Sequence, residues 1–161
     1  MPRRGPARGI VGYRGAGMAN PGAEEQLLTR ASGFDRLYGL EVLSCSDTEV
    51  LARLQVAEHH KQPAGLVHGG VYASMAEAMA SMATALSVIP DGNIAVGLSN
   101  YTSFLRPITA GVVHGRGVRL HRGRTTWVWD VTFTDDERRA CALTRMTIAV
   151  RPLPKGSLPP P

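Results

Sequence analysis

The sequence lacks the marks of several protein classes. It has two cysteines in 161 residues, Cys45 and Cys141, far apart and without metal-ligand spacing. A disulfide scaffold and a zinc-finger arrangement are thereby excluded, no metal is expected, and two small buried thiols in a reducing, cytoplasmic setting are the simplest reading. No apolar run reaches membrane-spanning length, because the longest is interrupted by Glu77 and several hydroxyls. The N-terminus has no apolar stretch of secretory-signal length, and no internal repeat is visible. Acidic residues are absent from the whole interval between Asp91 and Asp130. What remains is 43% hydrophobic and 19% charged, the balance of one soluble globular domain long enough to bury a core.

The formal charge of +5 invites a nucleic-acid partner, but its distribution argues against one. Residues 1–34 net +3, residues 151–161 net +2, and residues 35–150 net zero. The excess therefore sits in the tails, and no nucleic acid or membrane is expected as partner. The acid-free interval still carries Arg106, Arg116, Arg119, Arg122, Arg124, His114 and His121. Such a basic surface, with no carboxylate in the interval to neutralise it, suits a small polyanion such as a nucleotide phosphate. A solvated strand face is the alternative.

The stretch from Val67 to Leu86, VHGGVYASMAEAMASMATAL, organises the chain. A histidine and two glycines lead into an Ala- and Met-rich run that predicts a helix unbroken until Pro90. Its surface is nearly all apolar, which predicts burial. Ser74, Glu77, Ser81 and Thr84 follow steps of three, four and three and form one polar stripe. Glu77 is its only carboxylate, and a carboxylate on a buried helix is costly unless paired, neutralised or used. Met75, Met79 and Met82 read as core.

Around this helix the chain falls into extended runs. Residues 1–22 read as a disordered basic extension, with Met18 an alternative start to Met1, and residues 23–30 as a short helix. Residues 37–46 and 48–59 read as extended runs about a turn at Ser46–Asp47, the second alternating as a half-buried strand. Pro90–Asp91–Gly92 predicts a turn, followed by strand-like runs at 94–105, 111–121, 125–134 and 139–150. Trp127, Trp129 and Val131 share one face of their strand. The short last turns favour an antiparallel meander, and residues 153–161 read as a flexible tail. The expected architecture for residues 23–152 is α+β, an antiparallel sheet wrapped around one long central helix. Such a sheet leaves the helix partly uncovered, which favours dimerisation.

Three blocks then carry a family resemblance: VHGGVYASMAEAMAS, VGLSNYTSFLRP, and VRLHRGRTTWVWDV with MTIAVRP. HGG with a glutamate eight residues beyond its first glycine, followed by TSFLRP and TTWVWDV, resembles the hotdog-fold acyl-CoA thioesterases. It is most similar to the Arthrobacter-type 4-hydroxybenzoyl-CoA thioesterase and PaaI-like families. The resemblance implies that Glu77 is the catalytic nucleophile or general base and that the Gly69 N–H polarises the thioester carbonyl. It implies that Gln62 and His68 orient the thioester and support its loop, and that the Ser81 hydroxyl lies near the carboxylate. Arg106 and Thr125 match residues contacting the CoA nucleotide; Arg124, which stands where the relative has a serine near CoA, is expected to bind the CoA moiety with them. Implied too are a homotetramer, a dimer of hotdog dimers, and no cofactor beyond the CoA that enters with the substrate.

Elementary chemistry runs the same way. Thioester hydrolysis builds negative charge on the carbonyl oxygen, which a helix N-terminus stabilises, and glycines permit close backbone approach. Pro63 and Met82 replace polar residues associated with the relative's para-hydroxyl, so a different aromatic or a medium-chain acyl group is expected. A non-catalytic acyl-CoA-binding hotdog protein, sensor or scaffold, is the alternative; it would release no CoA thiol and ignore loss of Glu77. A hydratase would need an Asp and His pair that does not follow HGG.

Overall fold

The computed structural model describes residues 33–153. The expectations for residues 1–22 and 23–30 and for the tail after Leu153 lie outside them. A single turn of helix, α1 (Phe34–Leu37), precedes β1 (Glu41–Cys45) and β2 (Glu49–Gln55). A 3-10 turn at Glu58–His60 leads into α2 (Gly69–Val88). β3 (Asn93–Phe104), β4 (Val112–Arg122), β5 (Thr126–Thr134) and β6 (Ala140–Pro152) complete the domain. The strands form one six-stranded sheet in the order β1-β2-β4-β5-β6-β3, and every pairing is antiparallel. One long helix against one antiparallel sheet is the α+β hotdog arrangement.

α2 runs for 20 residues, about 30 Å at the α-helical rise. No helix among the described residues is long and apolar enough to cross a membrane. Tyr72, Met75, Ala76, Met79, Ala80 and Ala83 are buried on the sheet side of α2. They meet β5, where Trp127, Trp129, Val131 and Phe133 point inward at every second position. On β4 the core face narrows to Gly115, where any Cβ would lie 3.0 Å from the Met79 sulfur and from the Phe133 ring. That missing side chain lets the helix settle close to the sheet.

Three expectations are corrected. β4, β5 and β6 do form a meander, but β3 pairs with β6 instead of continuing it, from Asn93↔Pro152 to Phe104↔Ala142. The connection after β3 contains Pro107 and is too long for a tight hairpin; the Leu105 and Arg106 amides turn back onto the Cys141 carbonyl at 2.8 and 3.1 Å. The run expected as strand from Leu37 begins as helix, and strand pairing starts at Glu41. The second run stops at Gln55, because the Ala57 amide donates to the His60 ring and no longer serves a ladder.

Candidate active site

The segment between β2 and α2 is folded back on itself. The His68 amide donates to the His60 carbonyl at 2.8 Å, Val67 to the Ile108 carbonyl at 2.8 Å, and Gln62 to the Leu66 carbonyl at 2.8 Å. Buried His60 anchors the base of this loop. Its Nδ1 accepts the Ala57 N–H at 2.9 Å, which places the ring proton on Nε2, 2.9 Å from the Tyr38 carbonyl. Burial holds the His60 pKa below the usual histidine value.

At the top of the loop His68 caps α2. Its Nδ1 accepts the Gly70 N–H at 2.9 Å and its carbonyl accepts that of Val71 at 2.9 Å. The remaining first-turn amide, that of Gly69, is left for an outside acceptor at the positive end of the helix. A cleft of ≈ 550 Å³ opens there, lined by Gln62, His68, Gly69, Tyr72, Phe104 and Arg106 among others. The Gln62 side-chain oxygen accepts the Ala64 N–H at 3.0 Å, leaving its amide NH2 for other partners. Arg106 is exposed at the cleft, with no carboxylate paired to it among the described residues.

Glu77 sits apart from this group. It lies eight residues along α2 from Gly69, about 12 Å at the helical rise. The helix is therefore not buried all round: Glu77 is exposed, a correction to the expectation of a buried carboxylate. Ser81 donates to its Oε1 at 2.8 Å, joining two of the stripe residues as expected. Thr84 leaves the stripe; fully buried, it accepts the Trp129 indole N–H at 3.0 Å and donates to the Ala80 carbonyl. Beside Glu77 runs β3, where a Cβ on Gly97 would come 3.6 Å from Oε1.

Arg124 and Thr125 occupy the β4–β5 turn at the far end of the sheet. Seven residues of β6 separate the row of Thr126 from that of Phe104, about 23 Å, so one chain does not bring them to the cleft. The acid-free interval is neutralised in part from elsewhere, which corrects the unopposed basic surface for four of its seven basic residues. Asp47 pairs with Arg119 and Arg122, Glu49 with Arg116, and Asp136 with His114. Arg119 beside Asp47 holds that carboxyl below its ordinary range.

Sequence reasoning missed a hydrogen-bond relay on β3. Asn100 donates to the Ala73 carbonyl of α2 at 2.9 Å, Thr102 donates to Asn100 at 2.7 Å, and Thr102 meets Thr144 of β6 at 2.9 Å. It ties the edge strand to the helix one turn before Glu77. The only signal was two polar residues two positions apart on one strand face.

Comparison with known proteins shows the family. The thioesterase superfamily profile matches residues 64–142, the span from the loop through the start of β6. The 1,4-dihydroxy-2-naphthoyl-CoA hydrolase of Listeria monocytogenes is 34% identical over 119 residues, covering 74% of this chain and 96% of that protein. This chain belongs to the thioesterase superfamily. The thioesterase is also 41% identical over 111 residues to the esterase-named Rv1847 of Mycobacterium tuberculosis, covering 68% of this chain and 79% of that one. Its fold matches the crystal structure of a mutant of the Pseudomonas aeruginosa thioesterase PA1618 with a TM-score of 0.75. That match has 33% identity and covers 81% of this chain and 94% of that one. Membership makes the thioesterase a thioester hydrolase built on the hotdog fold.

Proposed function

We propose that this thioesterase hydrolyses acyl-CoA with a compact aromatic or medium-chain acyl group in a cytoplasmic setting, using Glu77, within the 4-hydroxybenzoyl-CoA thioesterase-like, PaaI-like branch. The observation that carries the reading is the Gly69 amide, left without an acceptor among the described residues at the mouth of α2, in a cleft it shares with Gln62, His68 and Arg106. A thioester carbonyl oxygen seated on that N–H gains its strongest hydrogen bond as the oxyanion forms. Glu77 then either takes a proton from water, whose hydroxide adds to the carbonyl carbon, or adds directly and is later freed by water. Collapse expels CoA thiolate, which leaves readily and is protonated by solvent.

Within one chain the carboxylate and the amide do not converge, and a second copy is the proposed remedy. β3 is an edge strand whose Val96, Leu98, Tyr101 and Phe104 are exposed. A long apolar edge is a template for another strand. Antiparallel pairing of β3 with its twin sets the two α2 helices side by side in opposite directions. The N-terminal end of one then comes level with the inner turns of the other, carrying Glu77 towards the facing Gly69. A tetramer of two such dimers gives Arg124 and Thr125 a route to the CoA nucleotide that one chain lacks. Neither a metal nor a bound cofactor takes part.

The test is thiol release across a panel of acyl-CoAs. Wild-type protein is expected to turn over at least one member, and Glu77→Gln to lose at least a hundredfold in kcat while still binding acyl-CoA. Near-normal turnover by Glu77→Gln overturns the assignment of the carboxylate.

A further inference from the structure

Tyr72 lies on the first turn of α2, three residues after Gly69 and therefore on the same side of the helix. It is 3% exposed and forms part of the cleft lining. Its hydroxyl is the one buried side-chain nitrogen or oxygen among the described residues without a hydrogen-bond partner. The ring is packed by other rings, with the Phe133 centroid at 5.5 Å edge-on and that of Phe104 at 6.1 Å. A phenylalanine would fill the same space without an unpaired hydroxyl, which lowers a folding equilibrium by roughly tenfold or more. Burial also pushes the phenol up to about 12, so it keeps its proton at any working pH.

Phe104 lies over Gly69 and beside the Tyr72 ring. Its Cζ would stand 2.6 Å from a Cβ on Gly69, so the ring lies directly over that glycine. Yet the residue is 59% exposed in one protomer, at the end of the edge strand, so its own chain holds it lightly. An outward turn of the ring would uncover Gly69 and the neighbouring edge of the Tyr72 ring.

We propose that the Tyr72 hydroxyl is a specificity-determining group of the acyl pocket, taking an acyl group whose ring or chain bears a hydroxyl or other hydrogen-bonding oxygen, with Phe104 as its movable cover. The proposal rests on the acyl-CoA reading of the same cleft. A pocket that holds an unpaired polar group discriminates against the analogue that leaves it unpaired.

The experiment compares benzoyl-CoA with its 2-, 3- and 4-hydroxy forms in wild-type protein, Tyr72→Phe and Phe104→Ala. Wild type is expected to favour at least one hydroxylated form by about tenfold in kcat/KM, the worth of one hydrogen bond. Tyr72→Phe should erase that preference, so that the hydroxylated forms and benzoyl-CoA are cleaved alike within the variant; Phe104→Ala should keep it. The free Tyr72→Phe protein should melt no lower than wild type, since it loses an unpaired group. A preference that survives Tyr72→Phe, an equal loss on every substrate, or a Tm lowered by several degrees overturns the proposal. If no acyl-CoA is cleaved, the hydrolase reading fails by itself. The preference is then read by calorimetric binding of the four compounds to wild type and Tyr72→Phe. Tighter binding of a hydroxylated form that disappears in Tyr72→Phe supports the proposal, and a preference that is missing or that survives the substitution overturns it.

Discussion

The loop that leads into α2 and the strand that flanks it differ in how far one chain satisfies them. Between Ala57 and Val71 the backbone groups that form the cleft are held inside the protomer, by the His60 ring, the His68 ring and the carbonyls of His60, Leu66 and Ile108. β3 is paired on one side only, and it shows Leu98, Tyr101 and Phe104 to solvent at 57%, 75% and 59% exposure. The amide-bearing half of the proposed site is thus preorganised in a single chain. On the proposed reading, the half that carries Glu77 is finished against another copy. An oxyanion site gains from rigidity, because its dipoles must point correctly before charge develops. A carboxylate on a shared face needs only a partner to bring it into reach.

This contrast can be tested from either side. After Glu77→Gln, the largest effect is expected from Gly69→Ala. The new methyl meets the end of the Phe104 ring at 2.6 Å, and since that ring is exposed it yields at little cost in stability. Approach to the amide is nevertheless obstructed, and kcat/KM should fall about a hundredfold with Tm nearly unchanged, the scale of losing one oxyanion donor. A large drop in Tm would place the glycine's role in folding.

Next comes the edge. Leu98→Lys combined with Tyr101→Lys puts two charges on the β3 row and should yield monomers in analytical ultracentrifugation, with activity lost by about tenfold or more. Oligomers that persist and stay active would remove β3 as the shared surface.

The smallest effect is expected at the foot of the loop. His60→Ala removes both ring hydrogen bonds and should cost about 2 kcal/mol in urea unfolding. His60 has a depressed pKa, so the unfolded chain takes the proton first. Its contribution is full above about pH 6.5, the ordinary histidine value, and is lost as pH falls from there towards the depressed folded value. Protonation would place a donor at Nδ1 against the Ala57 N–H. Wild-type Tm should therefore decline on acidification through this window, and the His60→Ala curve should be flatter.

Much of this was legible in the chain. The period of α2, the HGG opening, the turn after Pro90 and the inward face of Trp127, Trp129 and Val131 are local patterns set by backbone geometry and side-chain spacing. The loop residues Gln62, His68 and Gly69 were legible as a group because they lie within one short segment. Arg106 joins them only through the fold, as the chain turns after β3 at Pro107. What local pattern could not show was which strand neighbours which. The relay through Asn100, Thr102 and Thr144 depends on β3 lying beside β6.

The sequence by itself determined the long helix, its capped and glycine-rich start, the spacing from Gly69 to Glu77 and the alternation of the strands. Each follows from interactions among residues a few positions apart. Only the tertiary structure decided that Asp47, Glu49 and Asp136 pair with Arg116, Arg119, Arg122 and His114 of an interval with no acid of its own. It also decided that Glu77 faces outward beside an unpaired edge, and that the Tyr72 hydroxyl is buried in the cleft lining without a partner. Charge pairing, exposure and hydrogen-bond satisfaction depend on distances through space, and chain order does not fix those until the strands have taken their places.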